Sequence, residues 1–166
     1  KEIYQKIKNL RTHGMDESRD NIKNFGFVSR MDNIQAAVLN FRLRNLSNLI
    51  DARRKNVKIY LNNLNLNKVY FPVEKKLEFN TYHTFVIQVD KRDQLKKHLK
   101  KNGVDTAIHY PVPIHLQKAS QFLGIKKGSF PITEKQSKRI LTLPINQYLK
   151  KSEILYVCNL INNFYS

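Results

Sequence analysis

Apolar and polar residues near the start of the chain are spaced as on a helix, and then that order disappears. Residues 1–12 have the pattern of a helix. Gly14 can end this helix, because glycine readily adopts the left-handed conformation that often follows a helix. Residues 15–25 are polar and irregular. The pattern therefore predicts a short helix followed by a loop.

A longer helical pattern comes next. Ser29, with Asp32 three positions later, has the arrangement of a capping box at a helix start. Apolar residues between Ile34 and Ile50 then recur at steps of three and four. The pattern predicts one long helix from Met31 to about Leu61, with apolar residues on more than one face. Such a helix is expected to pack on both sides and to bridge domains or subunits.

Beyond the long helix the elements become short. Alternating, β-branched and aromatic runs predict strands at VYFP (69–72), YHTFVIQV (82–89), VDTAIHY (104–110) and, briefly, LTLPI (141–145). Helical patterns occur at RDQLKKHLKKNG (92–103), LQKASQFLG (116–124) and TEKQSKRIL (133–141). Ser152 is the predicted cap of a last helix, whose inner stripe is Ile154, Leu155, Cys158, Ile161 and Phe164. The expected fold class is α/β, with a small α+β domain in which helices cover a three-stranded sheet.

Composition agrees with a folded domain. The 166 residues are 41% hydrophobic, enough for a core that buries roughly 70% of the unfolded surface. The apolar runs are far shorter than the ~18 residues of a membrane span, so no membrane partner is expected. The single cysteine, Cys158, excludes an internal disulfide and suits a reducing cytoplasm. Its place on the apolar face of a helix predicts a buried, inert thiol.

The net charge of +17 raises the possibility of a nucleic-acid-binding module, because phosphate neutralisation requires clustered lysine and arginine. The lysines are instead spread along the chain. In the segment 92–103 the leucines point inward and the lysine pairs point outward, as on a solvated helix face. We therefore expect no specific nucleic-acid partner.

Most catalytic motifs are missing from the sequence. The glycines stand singly, so there is no phosphate-binding glycine loop, and no histidine or cysteine set has zinc spacing. His109 and His115 lie six residues apart around two prolines. Three interpretations remain open for them: a metal site, which lacks a third ligand nearby, two structural loop histidines, or the wall of a substrate pocket.

Five segments occur in an order that is informative. They are GFVSRMDNIQAAVL (26–39), YHTFVIQV (82–89), HYPVPIH (109–115), FPITEKQSKRILTLPI (130–145) and the terminal amphipathic helix. With RTHG (11–14), this order resembles the C-terminal part of the PLP-dependent sugar-nucleotide aminotransferases, the DegT/StrS type with the aspartate-aminotransferase fold. The resemblance implies three parts: the end of a large PLP-binding domain (1–25), a crossing loop and long connecting helix (26–66), and a small C-terminal domain (67–166).

The resemblance also implies an activity. Enzymes of this type hold pyridoxal phosphate through a lysine Schiff base and transfer an amino group, usually from glutamate, to a keto-sugar nucleotide for polysaccharide, lipopolysaccharide or glycan biosynthesis. In the family, the lysine lies upstream of the segment that matches Lys1, so no catalytic residue is expected in this chain. We expect a fragment of a cytoplasmic homodimeric enzyme that is inactive alone.

Several residues acquire roles from the resemblance. In the family, the segment matching GFVSRMD reaches across the dimer to the neighbour's cofactor, which makes Ser29 and Arg30 candidate cofactor-binding residues. The asparagine common in that segment is replaced by Val28. For Arg30, the alternative is a salt bridge with Asp32 at the helix entry.

The segment matching HYPVPIH borders the substrate side of the cleft, which makes His109, Tyr110 and His115 candidate substrate-binding residues. The prolines hold that wall in place, because each fixes one backbone angle. His83, at the start of its strand, is expected to be structural. A sugar dehydratase of the same family, which has histidine in place of the lysine, remains an alternative. A basic nucleic-acid-binding module and a scaffold or interaction domain remain alternatives as well.

Overall fold

The computed structural model describes residues 1–15, 18, 20–22 and 24–166. It contains two compact units, Lys1–Leu46 and Ser47–Ser166. Part of the predicted polar loop 15–25 lies outside the described residues. No helix in the described part of the chain is long and apolar enough to cross a bilayer.

The first unit contains two helices. Helix α1 covers Glu2–Leu10 and helix α2 covers Asn33–Leu43. Between them, single bridges pair Thr12 with Val28 and Met15 with Ile22 in antiparallel fashion. The first helix of the unit confirms the prediction for residues 1–12.

The predicted long helix is wrong as a single element. Helix α2 ends at Leu43, and a separate helix α3 begins at Leu46 and ends at Asn63. Asn45 directly precedes α3, at a position where asparagine is a favoured N-cap. The three- and four-residue apolar steps continue across this break, so periodicity did not reveal it. The predicted cap is also corrected: Asp32 and not Ser29 is the N-cap of α2, and Gln35 Oε1 accepts a hydrogen bond from the Asp32 N–H at 3.4 Å.

The second unit is built on a three-stranded antiparallel sheet in the order β1-β2-β3, which confirms the predicted strand number. Strand β1 covers Val69–Tyr70, β2 covers Phe85–Val89 and β3 covers Ile140–Leu143. Val69 pairs with Val89, and Phe85 pairs with Leu143. The predicted strand 104–110 is wrong: only Ala107 forms a bridge, to Thr142, while the brief LTLPI strand supplies β3.

Helices surround this sheet. Helix α4 covers Arg92–Lys101, α5 covers Pro131–Ser137 and α6 covers Lys151–Tyr165. The predicted helix 116–124 is a 3₁₀ helix over Lys118–Leu123 that ends at Gly124, whose φ is 66°. Helix α6 starts at Lys151 after the N-cap Lys150, which corrects the cap predicted at Ser152.

The core lies between the sheet and helices α3, α4 and α6. The buried hydrophobic residues are Val57, Tyr60, Leu64, Val69, Phe85, Ile87, Val89, Leu95, Leu99, Val104, Leu141, Leu143, Ile154, Val157, Cys158 and Ile161. Burial raises the pKa of the Cys158 thiol to about 11, so it stays protonated at neutral pH. Three members of the stripe predicted for α6 are buried, whereas Leu155 and Phe164 are only partly covered.

Side chains of α3 bind the segment that leaves β3. Arg53 Nη1 donates to the Ile145 carbonyl at 3.4 Å, Asn56 Nδ2 to the Asn146 carbonyl at 2.9 Å, and the Tyr60 hydroxyl to the Pro144 carbonyl at 2.9 Å. These donors satisfy consecutive carbonyls that have no strand partner. The exit of β3 is therefore held against the helix, and β3 itself is anchored next to the loop that contains His109.

Candidate functional site

In the first unit, an open groove of about 720 Å³ runs along the start of α2. Its polar lining comes from Arg11, Ser29, Arg30 and Gln35, and its apolar lining from Met31, Ile34, Val38 and Leu39. Both residues predicted to bind the cofactor, Ser29 and Arg30, therefore lie in one groove. Arg11 lies there with them.

Backbone pairing positions the polar end of this groove. The Phe27 N–H donates to the Leu10 carbonyl at 2.7 Å, and the Ser29 N–H donates to the Arg11 carbonyl at 3.0 Å. Arg11 Nε donates in return to the Ser29 carbonyl at 3.1 Å. The loop and the end of α1 are thus bonded to each other on both sides of Ser29.

Two glycines allow this close approach. A Cβ on Gly26 would lie 2.3 Å from the Gly14 nitrogen and 2.6 Å from the Leu10 carbonyl oxygen. A Cβ on Gly14 would lie 1.7 Å from the Asn24 carbonyl oxygen, and Gly14 has a φ of 76°. Any other residue at either position would push the loop away from α1. Gly14 of RTHG and Gly26 of GFVSRMD therefore act together in allowing the loop to pack against the end of α1.

The donor set of the groove fits a phosphate group. Guanidinium groups donate in pairs to phosphate oxygens, and a serine hydroxyl adds a further donor. Within the described residues, no ion pair or hydrogen bond engages the Arg30 guanidinium, and none joins Arg30 to Asp32, so the salt-bridge alternative is not realised there. Val28 is 69% exposed and supplies no polar side-chain atom.

In the second unit, the loop 109–115 begins beside strand β3. His109 Nδ1 lies 2.9 Å from the Thr142 hydroxyl, and the Tyr110 ring stands edge-on to the imidazole at 5.3 Å between centroids. Tyr110 is 72% exposed. These two side chains form one exposed polar and aromatic corner, with hydrogen-bonding atoms available to a ligand.

His115 is placed differently. Its side chain is only 8% exposed, and Nε2 lies 3.0 Å from Glu134 Oε1. The same carboxylate accepts the Gly128 N–H at 2.7 Å, and the Phe130 ring packs edge-on against the imidazole. Hydrogen bonds from His115 and then from Gly128 hold the pKa of Glu134 below its usual value. This geometry favours the interpretation of His115 as a structural loop histidine.

The described part of the chain contains no cluster of three or more histidine, cysteine, aspartate or glutamate side chains that could bind a metal ion. His83 is exposed, and its carbonyl accepts a hydrogen bond from Arg53 Nη1 at 3.2 Å. The residues predicted to bind cofactor or substrate thus lie in two places, the groove of the first unit and, for His109 and Tyr110, the exposed corner of the second.

A family model described as the DegT/DnrJ/EryC1/StrS aminotransferase family matches residues 1–162. The chain belongs to this family. The assignment confirms the resemblance found in the ordered motifs, and it covers both candidate regions. Members of the family depend on pyridoxal phosphate, whose phosphate group suits the donors of the groove.

Curated relatives extend the comparison. A "Pleiotropic regulatory protein" of Geobacillus stearothermophilus is 34% identical over 99% of this chain and 45% of the relative. A dTDP-3-amino-3,4,6-trideoxy-alpha-D-glucose transaminase of Streptomyces venezuelae is 32% identical over 98% of this chain and 43% of the relative. The chain therefore spans less than half the length of the curated relatives it matches.

Solved structures show the same relationship. The structure of S. venezuelae DesV in complex with ketimine intermediate superposes with a TM-score of 0.87 at 32% identity, over 98% of this chain and 44% of that one. A DegT DnrJ EryC1 StrS aminotransferase from Brucella abortus gives 0.87 at 29% identity, over 99% and 44%. The small sheet and its helices are therefore part of an aminotransferase fold.

Sequence reasoning missed two polar residues of these regions. Arg11 stands in RTHG, which was used only as a sign of the family, and a basic residue in that segment was the available signal. Thr142 is an ordinary β-strand residue in LTLPI, and nothing in the local pattern connects it to His109. Only the pairing of distant segments shows that contact.

Proposed function

We propose that this chain is the C-terminal part of a cytoplasmic, homodimeric, PLP-dependent aminotransferase that moves an amino group from glutamate to a keto-sugar nucleotide. The observation that supports this most is the family match over residues 1–162, together with relatives named as transaminases of sugar nucleotides. These names also favour the aminotransferase over the dehydratase.

In this proposal, the first unit binds the cofactor's phosphate. Arg30 and Ser29 donate to phosphate oxygens from the groove, and Arg11 both holds the Ser29 carbonyl and adds positive charge. The cofactor, when bound, supplies the electron sink that amino transfer requires. The chain's own residues orient the phosphate end of the cofactor. Val28 has no polar side-chain atom, so Ser29 and Arg30 make these contacts.

The second unit supplies substrate contacts. His109 uses Nδ1 toward Thr142, so Nε2 remains for a sugar hydroxyl or a diphosphate oxygen, and the Tyr110 hydroxyl offers a second donor beside it. His115 acts indirectly, because its bond to Glu134 holds the loop that carries them. Binding of the sugar nucleotide at this corner is the step to which these residues contribute.

The test is His109→Ala in the full-length protein, with the two half-reactions measured separately. Amino transfer to the keto-sugar nucleotide should weaken, while the glutamate half-reaction and cofactor binding stay near normal. Loss of a hydrogen bond to a charged phosphate corresponds to about ten- to a hundredfold in kcat/KM, and loss of one to a neutral hydroxyl to less.

His83→Ala is the matched control, since His83 is an exposed histidine outside the corner. It should leave both half-reactions unchanged. If His109→Ala lowers both half-reactions together with the melting temperature, the histidine is structural. If it changes neither, the corner does not contact the substrate.

A further inference from the structure

The position of Thr142 is fixed by its backbone. Its N–H donates to the Ala107 carbonyl at 2.8 Å, and its carbonyl accepts the Ala107 N–H at 3.2 Å. On the other side, Thr142 is opposite Val86 in the β2–β3 pairing. The residue is 7% exposed. Its main chain is therefore held by two hydrogen bonds to Ala107 and by its place in a paired strand, whatever its side chain does.

The hydroxyl has a different task. Within the described part of the chain, its hydrogen-bonding partner is His109 Nδ1, at 2.9 Å, and it forms no other hydrogen bond there. His109 is exposed, so its ring would otherwise be free to turn about its side-chain bonds. One hydrogen bond from a rigid strand thus selects the orientation of an exposed imidazole.

That orientation has a chemical consequence. Because Nδ1 is engaged, Nε2 is the ring nitrogen left for a ligand, and the perpendicular Tyr110 ring limits rotation from the other side. A side chain that is already oriented loses less conformational entropy when a ligand binds. The strand therefore prepares the histidine before the substrate arrives.

We propose that Thr142 is a positioning residue for the sugar-nucleotide half-reaction, acting through the His109 imidazole. The inference rests on the proposed function, in which His109 contacts the substrate. In this role the Thr142 hydroxyl affects substrate binding without contacting the substrate itself.

The decisive variant is Thr142→Val, which keeps the β-branched shape suited to a strand and removes the hydroxyl. In the full-length protein we expect kcat/KM for the keto-sugar nucleotide to fall about three- to tenfold, as for one neutral hydrogen bond. Thr142→Ser, which retains the hydroxyl, should restore most of the loss. The glutamate half-reaction should not change.

Thr106→Val is the matched control. The Thr106 hydroxyl is also buried near the start of this loop, but it has no hydrogen-bond partner among the described residues. The same substitution there should leave both half-reactions unchanged. The second control is the pair Thr142→Val with His109→Ala, because a residue acting through His109 adds no further loss once His109 is removed.

The outcomes separate this inference from the proposed function. If His109→Ala weakens the sugar half-reaction but Thr142→Val does not, the positioning role is wrong and the proposed function stands. The same holds if the loss from Thr142→Val persists in the His109→Ala background, or if it affects both half-reactions and the melting temperature. If His109→Ala itself has no effect, the substrate contact and the positioning role fail together.

Discussion

The two units of this chain differ in where their apolar side chains lie. In the first unit, neither α1 nor α2 has a buried residue, and Ile3, Ile34 and Phe41 are each more than 70% exposed. In the second unit, a continuous core includes every buried hydrophobic residue of the described chain, from Val57 to Ile161. The second unit is therefore stabilised from within, whereas the first presents an apolar surface of the kind that marks an interface.

The largest expected effect on this contrast is the loss of unfolding free energy when a core side chain of the second unit is truncated. Leu95 on α4 is fully buried, so Leu95→Ala should lower the free energy of unfolding by about 3 kcal/mol through lost burial and a cavity. Leu43→Ala on α2 is the matched control, because Leu43 is 63% exposed, and the change should be under about 0.5 kcal/mol. Denaturant unfolding of the 166-residue chain measures both. Equal losses would mean that the first unit has a core of its own.

The exposed apolar residues of the first unit are expected to contribute to self-association of the full-length protein. Phe41→Glu puts a charge on a 73% exposed aromatic position, and we expect it to weaken self-association of the full-length protein more than tenfold. Leu77→Glu, at a 98% exposed position of the second unit, should have no effect. Sedimentation velocity over a concentration series distinguishes them. A dimer unaffected by Phe41→Glu would place the interface elsewhere.

The groove of the first unit offers a smaller and more local test. Arg30→Gln removes a guanidinium that has no protein partner in the described residues, and retention of pyridoxal phosphate by the full-length protein should fall about tenfold. Val28→Asn should strengthen retention by adding a side-chain donor. Arg42→Gln, an exposed arginine at the end of α2, serves as the control. Equilibrium dialysis gives the affinities for pyridoxal phosphate. Equal effects of Arg30→Gln and Arg42→Gln would mean that only the loss of a positive charge matters and that Arg30 does not contact the phosphate.

The smallest effect concerns acid stability of the second unit. The pKa of Glu134 is lowered by hydrogen bonds from His115 and Gly128. Because the folded pKa lies below the ordinary value of 4.5, the carboxylate stabilises the fold above that pH, and the stabilisation is lost as pH falls through the folded value. Glu134→Gln should thus unfold more easily near neutral pH and lose less stability on acidification below about pH 4.5.

Asp105→Asn is the comparison for that experiment. A hydrogen bond from Lys100 lowers the pKa of Asp105 as well. The Asp105 side chain is 85% exposed and the Lys100 side chain 72%, so solvent screens the pair. Unfolding curves between pH 3 and pH 7 should therefore change less for Asp105→Asn than for Glu134→Gln, the pH range being about that over which carboxylates titrate. The opposite order would show that the His115–Glu134 pair does not hold the loop.

Local pattern was sufficient for most elements of the second unit. Helix α4, strand β2 and the buried stripe of α6 follow directly from periodicity, because each buries one face with a regular repeat. Periodicity does not show the break between α2 and α3, since Leu43 and Leu46 continue the same apolar steps on either side of it. The run 104–110 has strand composition, but only Ala107 finds a strand partner.

The sequence by itself determined the family, the short sheet with its helices, and the identity of the residues from which sites are built. Ordered motifs record an ancestry, and apolar periodicity records which face of an element is buried. Only the tertiary structure decided how those residues are used. It paired His109 with Thr142, 33 positions away, and His115 with Glu134, 19 positions away, and it placed Arg11 beside Ser29. Contacts between distant segments depend on how strands and loops come together, and the local pattern of residues does not show which distant segments will meet.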